Sequence, residues 1–251
     1  MSERQVVVVE GAQDVAREAA ERLTVLARDA VGARGRFTVA LSGGSTPRAL
    51  FQLLAREPYR SAIDWERVEV FWGDERCVPP THADSNYRMA REALLDPVAT
   101  PGARVHRLAA ESDDREAAAA AYATEIARVL GGDPGGAAPA FDLVLLGMGP
   151  DGHTASLFPG TAALAERRRW VVANWVQKFG TYRITMTWAV LNRAAHVLFL
   201  VAGADKAATL RDVLEGPFDL DRLPSQGVRP EAGRVVWLVD RAAAAQLTPT
   251  A

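Results

Sequence analysis

An acid and a histidine stand two residues apart in the glycine-rich stretch GMGPDGH, and this pair is the clearest sign of chemistry in the sequence. A histidine side chain with an unperturbed pKa of about 6.5 can take up a proton at neutral pH. His153 is therefore a candidate general base, and Asp151 could select its tautomer and stabilise its cation. The alternative is a loop histidine that only bonds to the backbone.

The same stretch matches G-x-G-x-x-G, the fingerprint of dinucleotide-binding sites. In that motif the third glycine opens a helix, and an acid ends the next strand about 20 residues further on. Here Gly152 is followed by HTASLFPG, where Pro159 interrupts any helix, and no such acid follows. We therefore assign the glycines another role, which is to expose Asp151 and His153 to a ligand, and we count Gly152 among the ligand-binding residues.

A second candidate site is the stretch LSGGSTP, which joins a predicted strand to a predicted helix. Glycine amides, hydroxyl groups and the positive end of a helix dipole meet at such a point, and together they can hold a phosphate. It is not the nucleotide P-loop, because no Gly-Lys-Ser/Thr follows. The alternative is a tight turn in which Ser or Thr caps the helix. The candidate phosphate-binding residues are Ser42, Gly43, Gly44, Ser45 and Thr46.

Isolated cations stand at three further strand or helix boundaries. Arg76 ends the run GDER and could grip a phosphate or carboxylate through two hydrogen bonds. Asp74 of the same run could act as a base or orient Arg76. Arg183 in YRITMT and Lys206 in GADK complete the set. The alternative for each of them is a solvated surface charge.

Strands and helices alternate along the whole sequence, and the candidate motifs follow short apolar runs that are typical of buried strands. Because parallel neighbours need crossover connections, this alternation predicts a three-layer α/β/α domain with a mostly parallel sheet. GDER, LSGGSTP and GMGPDGH would then share the carboxyl edge of the sheet, where open α/β sheets bind ligands. We expect a single domain over residues 1–251.

The predicted elements carry definite bounds. Strands that precede the motifs are predicted at Phe37–Leu41, Val68–Trp72, Phe141–Leu146 and His196–Val201. Other expected elements are strands at Val6–Val9, Trp170–Val176, Tyr182–Thr187 and Val235–Val239, a weak strand near Val105, and a helix that begins at Pro47.

Composition narrows the class of protein. A net charge of -2 gives no general attraction to nucleic acid or to an anionic membrane. Cys77 is the single cysteine, which rules out an internal disulfide and favours a reducing cytoplasm. The first residues lack a signal-peptide pattern, and no segment approaches the roughly 20 apolar residues of a membrane span. No metal is expected, because no metal-ligand spacing relates His82, His106 and His196.

Four separated motifs, LSGGSTP, GDERCVPPTHADSNYRMA, DLVLLGMGPDGHTASLFPG and the late R-I-T and G-x-x-K elements, together resemble the 6-phosphogluconolactonase family. The resemblance spans Ser42 to Lys206 with the motifs in the right order. It implies a Rossmann-like sheet of the type shared with glucosamine-6-phosphate deaminases. It also implies hydrolysis of 6-phospho-D-glucono-1,5-lactone to 6-phosphogluconate in the oxidative pentose phosphate pathway, without a cofactor.

Carried onto this chain, the resemblance assigns a role to each motif. The phosphate would be held by the loop after the second strand and by three cations, Arg76, Arg183 and Lys206. The lactone carbonyl would then lie near Asp151 and His153. The implied partner is this small sugar-phosphate lactone, with no nucleic acid or membrane, and the chain would act as a monomer or weak homodimer.

Two other functions remain to be separated. The related amino-sugar phosphate isomerase/deaminases resemble this chain through the D-G-H loop but carry a glutamate five residues after the histidine, where this chain has Phe158. A non-catalytic sugar-phosphate sensor would need a DNA-binding module, and none is expected before Val6.

Overall fold

The computed structural model describes residues 4–248, which contain nine strands and eight α-helices. The strands are Arg4–Val9 (β1), Phe37–Leu41 (β2), Val68–Trp72 (β3), Asp74–Arg76 (β4), Leu143–Leu146 (β5), Val171–Val176 (β6), Thr181–Met186 (β7), His196–Val201 (β8) and Arg234–Asp240 (β9). The single domain predicted for 1–251 extends at both ends beyond the described residues.

The helices alternate with the strands of the larger sheet. They are Ala12–Arg34 (α1), Ser45–Leu54 (α2), Tyr59–Ala62 (α3), Asn86–Ala90 (α4), Arg115–Leu130 (α5), Trp188–Leu191 (α6), Ala207–Glu215 (α7) and Arg241–Ala244 (α8). A π-helical turn over Arg91–Leu95 extends α4. Short 3-10 turns occur at Trp65–Arg67, Gly102–Arg104, Ala162–Ala165, Gln177–Phe179, Ala204–Lys206 and Pro224–Gly227.

Six parallel strands form the central sheet in the order β1-β9-β8-β5-β2-β3. Side chains of one strand alternate between two hydrophobic cores, because successive residues of a strand point to opposite faces. Ala40 of β2 belongs to the core under α5 and α7, whereas Val39 and Leu41 belong to the core under α1 and α2. Helices therefore cover both faces, and the predicted three-layer α/β/α fold is confirmed.

A second sheet of three antiparallel strands, in the order β4-β7-β6, lies beside the carboxyl edge of the first. The strands expected at Trp170–Val176 and Tyr182–Thr187 are present as β6 and β7, but they pair with each other outside the parallel sheet. The alternative of a solvated surface charge is wrong for the acids of GDER. Asp74 and Glu75 are 7% and 3% exposed, since β4 pairs with β7.

The bounds of the predicted strands agree with the structure to within two residues, and two other differences have local reasons. Helix α2 begins at Ser45, two residues before the predicted Pro47, because Gly44 adopts a positive φ of 106° and turns the chain into the helix there. The weak strand near Val105 is a single bridge to Val70. None of the helices within residues 4–248 has both the length and the apolar character needed to cross a bilayer.

Candidate active site

Four adjacent strands of the parallel sheet deliver the four predicted motifs to one edge. β3, β2, β5 and β8 are consecutive neighbours in the sheet. GDER, SGGSTP, GMGPDGH and GADK follow their carboxyl ends in that order. Since parallel strands all end at the same edge, the topology alone brings these loops together.

Buried polar side chains join three of these loops. Asn86, at the start of α4, donates from Nδ2 to the carbonyl oxygen of Asp74 over 3.0 Å. A Cβ on Gly43 would collide with the amide of Asn86, so the loop after β2 needs glycine at this close approach. Ser156, in the loop after His153, donates from Oγ to Asp74 Oδ2 over 2.5 Å. Asp74 thus anchors the central loop.

The fourth loop touches the central loop through a helix. Thr209 in α7 donates from Oγ1 to the carbonyl oxygen of Pro150 over 2.7 Å. Lys206 lies one residue before α7, and its Nζ is 3.0 Å from Asp205 Oδ2. No hydrogen bond or ion pair within the described residues joins Lys206 to the other predicted phosphate-binding groups.

His153 and Asp151 form a hydrogen-bonded pair. His153 Nδ1 is 2.5 Å from Asp151 Oδ1, and the backbone N–H of His153 also donates to Oδ1 over 3.3 Å. About a quarter of each side chain is exposed, at 25% and 26%. The histidine is therefore bonded to an acid through one ring nitrogen, as the sequence suggested, and Nε2 has no partner among residues 4–248.

A lysine holds the other oxygen of Asp151. Lys178 Nζ lies 2.8 Å from Asp151 Oδ2. Burial raises the pKa of Asp151, but hydrogen bonds from His153 and Lys178 outweigh it and hold the pKa far below its usual range. The carboxylate is therefore ionised at neutral pH and can only accept hydrogen bonds.

Packing fixes the plane of the imidazole. Phe158 stacks on the His153 ring with centroids 4.0 Å apart and planes inclined by 23°. Phe179, next to Lys178, packs edge-on against Phe158 at 5.6 Å. Across the ring, a Cβ on Gly149 would collide with the imidazole, so glycine is needed at that position.

Gly152 lets the central loop turn back on itself. Its φ is +77°, and a Cβ here would lie 2.7 Å from Leu223 Cδ2. Its carbonyl oxygen accepts hydrogen bonds from both the backbone N–H and the Oγ of Ser225, each 2.9 Å long. Gly152 therefore shapes the loop that carries Asp151 and His153.

The loop after β2 leaves donors free at the amino end of α2. No N–H from Gly43 to Thr46 donates a hydrogen bond to another residue within 4–248. Ser42 is buried, whereas Gly44 and Ser45 are exposed. Unpaired N–H groups beside exposed hydroxyls at a helix N-terminus form the arrangement that favours an anion.

Two arginines face each other across the small sheet. Arg76 of β4 is the register partner of Arg183 of β7. Burial and the positive charge of Arg76 lower the pKa of Arg183. Arg76 donates to the carbonyl oxygen of Asp84 over 2.6 Å, and neither arginine forms a carboxylate ion pair within the described residues. Like charges placed opposite each other destabilise a sheet unless an anion lies between them.

Within residues 4–248 no group of three or more His, Cys, Asp or Glu side chains is arranged to hold a metal ion. The donors at the site are amides, hydroxyls and cations, which suit an anion.

Comparison with known proteins places this arrangement in a family. The model of the family described as glucosamine-6-phosphate isomerases/6-phosphogluconolactonase matches residues 10–237. The chain belongs to this family. All four motifs of this family member lie within the matched residues.

Three similar proteins match this chain over most of their own length. A 6-phosphogluconolactonase of Synechocystis sp. is 44% identical over 220 residues, which is 88% of this chain and 88% of the relative. One of Streptomyces coelicolor is 41% identical over 248 residues, 97% of this chain and 94% of the relative. The solved structure of 6-phosphogluconolactonase from Trypanosoma cruzi is 31% identical, with a TM-score of 0.87 and 99% of each chain covered.

Sequence reasoning missed three polar side chains of this family member's site. Ser156 and Asn86 were unmarked because their role, bonding to Asp74, depends on contacts between loops distant in sequence. Lys178 was also missed, since it meets Asp151 from the turn between β6 and β7. A signal for Lys178 did exist, because the chain has only two lysines against 27 arginines.

Proposed function

We propose that the protein hydrolyses 6-phospho-D-glucono-1,5-lactone to 6-phosphogluconate, using His153 as a general base. The observation that carries this proposal is the His153–Asp151 pair, whose remaining ring nitrogen is unpartnered within residues 4–248, beside loops rich in anion-binding groups. Relatives of this chain that cover most of its length bear the name 6-phosphogluconolactonase, which supports this substrate.

The hydrogen bonding fixes which nitrogen can act. Because ionised Asp151 can only accept, the Nδ1 of His153 must carry the proton. In the neutral imidazole Nε2 then holds the lone pair, and it can take a proton from water. The stacked Phe158 ring restrains the plane of the imidazole and so limits the directions in which Nε2 can point.

The reaction follows in two proton transfers. Nε2 of His153 removes a proton from water as the water oxygen attacks C1 of the lactone. The tetrahedral intermediate then collapses, the bond between C1 and the ring oxygen breaks, and the leaving oxygen takes the proton back from Nε2. Asp151 stabilises the imidazolium between these steps. The product acid loses its proton to solvent.

The phosphate end is assigned to the anion-binding groups. We propose that the free N–H groups from Gly43 to Thr46 hold it together with Arg76, Arg183 and Lys206. An anion between the two facing arginines would relieve their repulsion. We also propose a cytoplasmic enzyme, which is consistent with the unpaired Cys77.

An amino-sugar phosphate deaminase is not favoured. Phe158 places an aromatic ring against His153 at the position where that activity would call for a carboxylate. Incubation with glucosamine 6-phosphate followed by an ammonia assay tests this choice, and we expect no ammonia above background.

The main test is His153→Ala. We expect kcat to fall by about 10²–10⁴-fold with KM changed little, because the variant loses proton transfer and keeps the phosphate-binding groups. Lactone disappearance, with substrate generated by glucose-6-phosphate dehydrogenase and spontaneous hydrolysis subtracted, measures it. His196→Gln, at the amino end of β8, is the matched control and should remain active; unchanged turnover in His153→Ala would refute the assignment.

A further inference from the structure

The two lysines of the chain stand out against its 27 arginines. Lys206 follows β8 at the predicted phosphate-binding edge, and Lys178 lies in the turn between β6 and β7. Lysine offers a compact point charge on a flexible stem, whereas arginine offers a planar fork. Of the two lysines, Lys178 has its ammonium group paired with the acid of the proposed dyad.

The turn that carries Lys178 is built to face the central loop. A 3-10 turn over Gln177–Phe179 ends at Gly180, whose φ of +58° reverses the chain into β7. Phe179 packs on Phe158, which in turn stacks on His153. The β6–β7 hairpin therefore contacts the proposed dyad in two ways. Lys178 forms an ion pair with Asp151, and the Phe179 ring reaches His153 through the ring of Phe158.

The two oxygens of Asp151 are divided between two partners. Oδ1 is 2.5 Å from His153 Nδ1, and Oδ2 is 2.8 Å from Lys178 Nζ. With both oxygens bound, the carboxylate cannot rotate freely. The ion pair also lines a cavity of about 640 Å³ together with Phe158 and Tyr182, a volume suited to a small ligand.

We infer that Lys178 is a positioning residue for the proposed lactone hydrolysis, acting through Asp151. It holds the carboxylate in the orientation that orders His153, and its charge offsets part of the carboxylate's charge. This inference rests on the proposed function, because it assigns Lys178 a role in that reaction.

The charged groups that face the dyad set the balance between neutral and protonated imidazole. Asp151 stabilises a protonated His153. Lys178 weakens this stabilisation, because its positive charge offsets part of the charge of the same carboxylate. From β7, the Arg183 guanidinium lies 5.5 Å from the Phe179 ring and adds a second positive charge beside the turn that carries Lys178. Phe158 is neutral. Without Lys178 the imidazolium would persist to higher pH, and less neutral base would be present.

The test compares Lys178→Met with Lys178→Arg. For Lys178→Met we expect kcat at pH 7 to fall about tenfold with KM within about twofold, because orientation is lost and phosphate binding is kept. The acidic limb of the kcat/KM profile should move up by about half a pH unit. Lys178→Arg keeps the charge, so it should retain most of the wild-type kcat, and the acidic limb of its kcat/KM profile should lie where that of the wild type does.

A charge control separates this role from a general loss of positive charge. Arg168→Met removes an exposed cation that has no hydrogen bond or ion pair with Asp151, His153 or Lys178 among the described residues, and it should match the wild type in kcat, KM and pH profile. An unchanged kcat and pH limb in Lys178→Met would overturn the inference. An equal loss of kcat in Lys178→Met and Lys178→Arg would also overturn it. A rise in the KM of Lys178→Met without a fall in kcat would do the same.

A second readout does not depend on turnover. The chain has four histidines, so the Hε1 signal of His153 can be assigned by substitution and followed by NMR titration of the free protein. We expect its midpoint to rise in Lys178→Met and to stay in Arg168→Met; an unmoved midpoint overturns the inference. If the midpoints differ between the variants in this way but the wild-type protein hydrolyses no lactone, the proposed function fails while the coupling of Lys178, Asp151 and His153 stands.

Discussion

At the scale of single residues, His153 is defined by what surrounds it on three sides. Asp151 bonds to Nδ1, Phe158 covers one face of the ring, and the backbone of Gly149 passes close to the ring. These contacts leave Nε2 as the free nitrogen within the described chain. A side chain with one free basic nitrogen and a fixed plane is suited to directed proton transfer.

Gly149→Ala tests the close approach at this scale. The added methyl would collide with the imidazole, so we expect the His153 ring to move and kcat/KM to fall by roughly 10²-fold, since about 1 Å of misplacement can cost that much. Lactone hydrolysis measures the loss. Gly147→Ala adds the same methyl to open space and should keep most of the activity. Equal effects of both variants would contradict the role given to Gly149.

At the scale of elements, the small antiparallel sheet explains how two arginines come to face each other. The β4–β7 register sets Arg76 opposite Arg183, and Glu75 on the other face fixes β4 by accepting from the backbone N–H groups of Arg76, Asn86 and Tyr87. Burial raises the pKa of Glu75, while these N–H groups lower it. The strand pairing therefore maintains a repulsive pair that a phosphate would neutralise.

Arg183→Met should separate stability from binding. We expect the ligand-free variant to melt no lower than the wild type, because a like-charge repulsion is removed while the apolar stem is kept. Its KM should rise about tenfold or more through loss of a charged hydrogen bond.

Thermal melting with 6-phosphogluconate supplies the measurement. The ligand should raise the melting temperature of the wild type and raise that of Arg183→Met much less, since only binding to the folded state stabilises it. Arg193→Met, which removes an exposed cation paired with Glu231, is the control and should behave as the wild type. An equal ligand-induced rise in Arg183→Met would exclude Arg183 from phosphate binding.

At the scale of the whole molecule, a buried histidine ties helix α5 to the parallel sheet. His106 Nε2 is 2.9 Å from Glu69 Oε2 on β3, and its Nδ1 is 2.7 Å from Glu125 Oε1 on α5. The hydrogen bond from Arg128, opposed by burial and assisted by His106, lowers the pKa of Glu125 to about 2.

The lowered pKa predicts the direction of acid unfolding. Because the folded-state pKa of Glu125 is below the usual 4.5, its stabilisation is complete above that pH and is lost as the pH falls toward about 2. Glu125→Gln should lower the free energy of unfolding by about 1 kcal/mol at pH 7, after discount for solvent exposure.

Urea unfolding at pH 7 and near pH 2 checks this prediction. The difference between Glu125→Gln and the wild type should shrink at the lower pH. Glu116→Gln, on the same helix but in an exposed pair with Arg169, should change stability little at either pH. A difference that is constant with pH would contradict the assignment to Glu125.

Local patterns were sufficient to predict the parallel sheet and the loops at its edge. Apolar runs such as His196–Val201 give the same bounds in sequence and structure, since a strand buried on both faces has a uniform apolar pattern. The GMGPDGH loop was also predictable, because an acid and a histidine two residues apart can meet through a single turn.

The remaining features depend on contacts between residues distant in sequence. β4 is three residues long and highly charged, so only its pairing with β7 shows that it is a strand. Ser156 meets Asp74, and Lys178 meets Asp151, across turns whose relative placement no local pattern encodes. Contacts of this kind can be identified only in the folded structure.

The order of strands in the parallel sheet also bears on how the protein is made. β1, the earliest of the described strands to be synthesised, pairs in the sheet with β9, the latest of them. The strands that carry the motifs, β3, β2, β5 and β8, are all synthesised before β9. The edge that holds the candidate site can therefore assemble while β1 is still unpaired, and the pairing of β1 in the sheet must wait until β9 has been made.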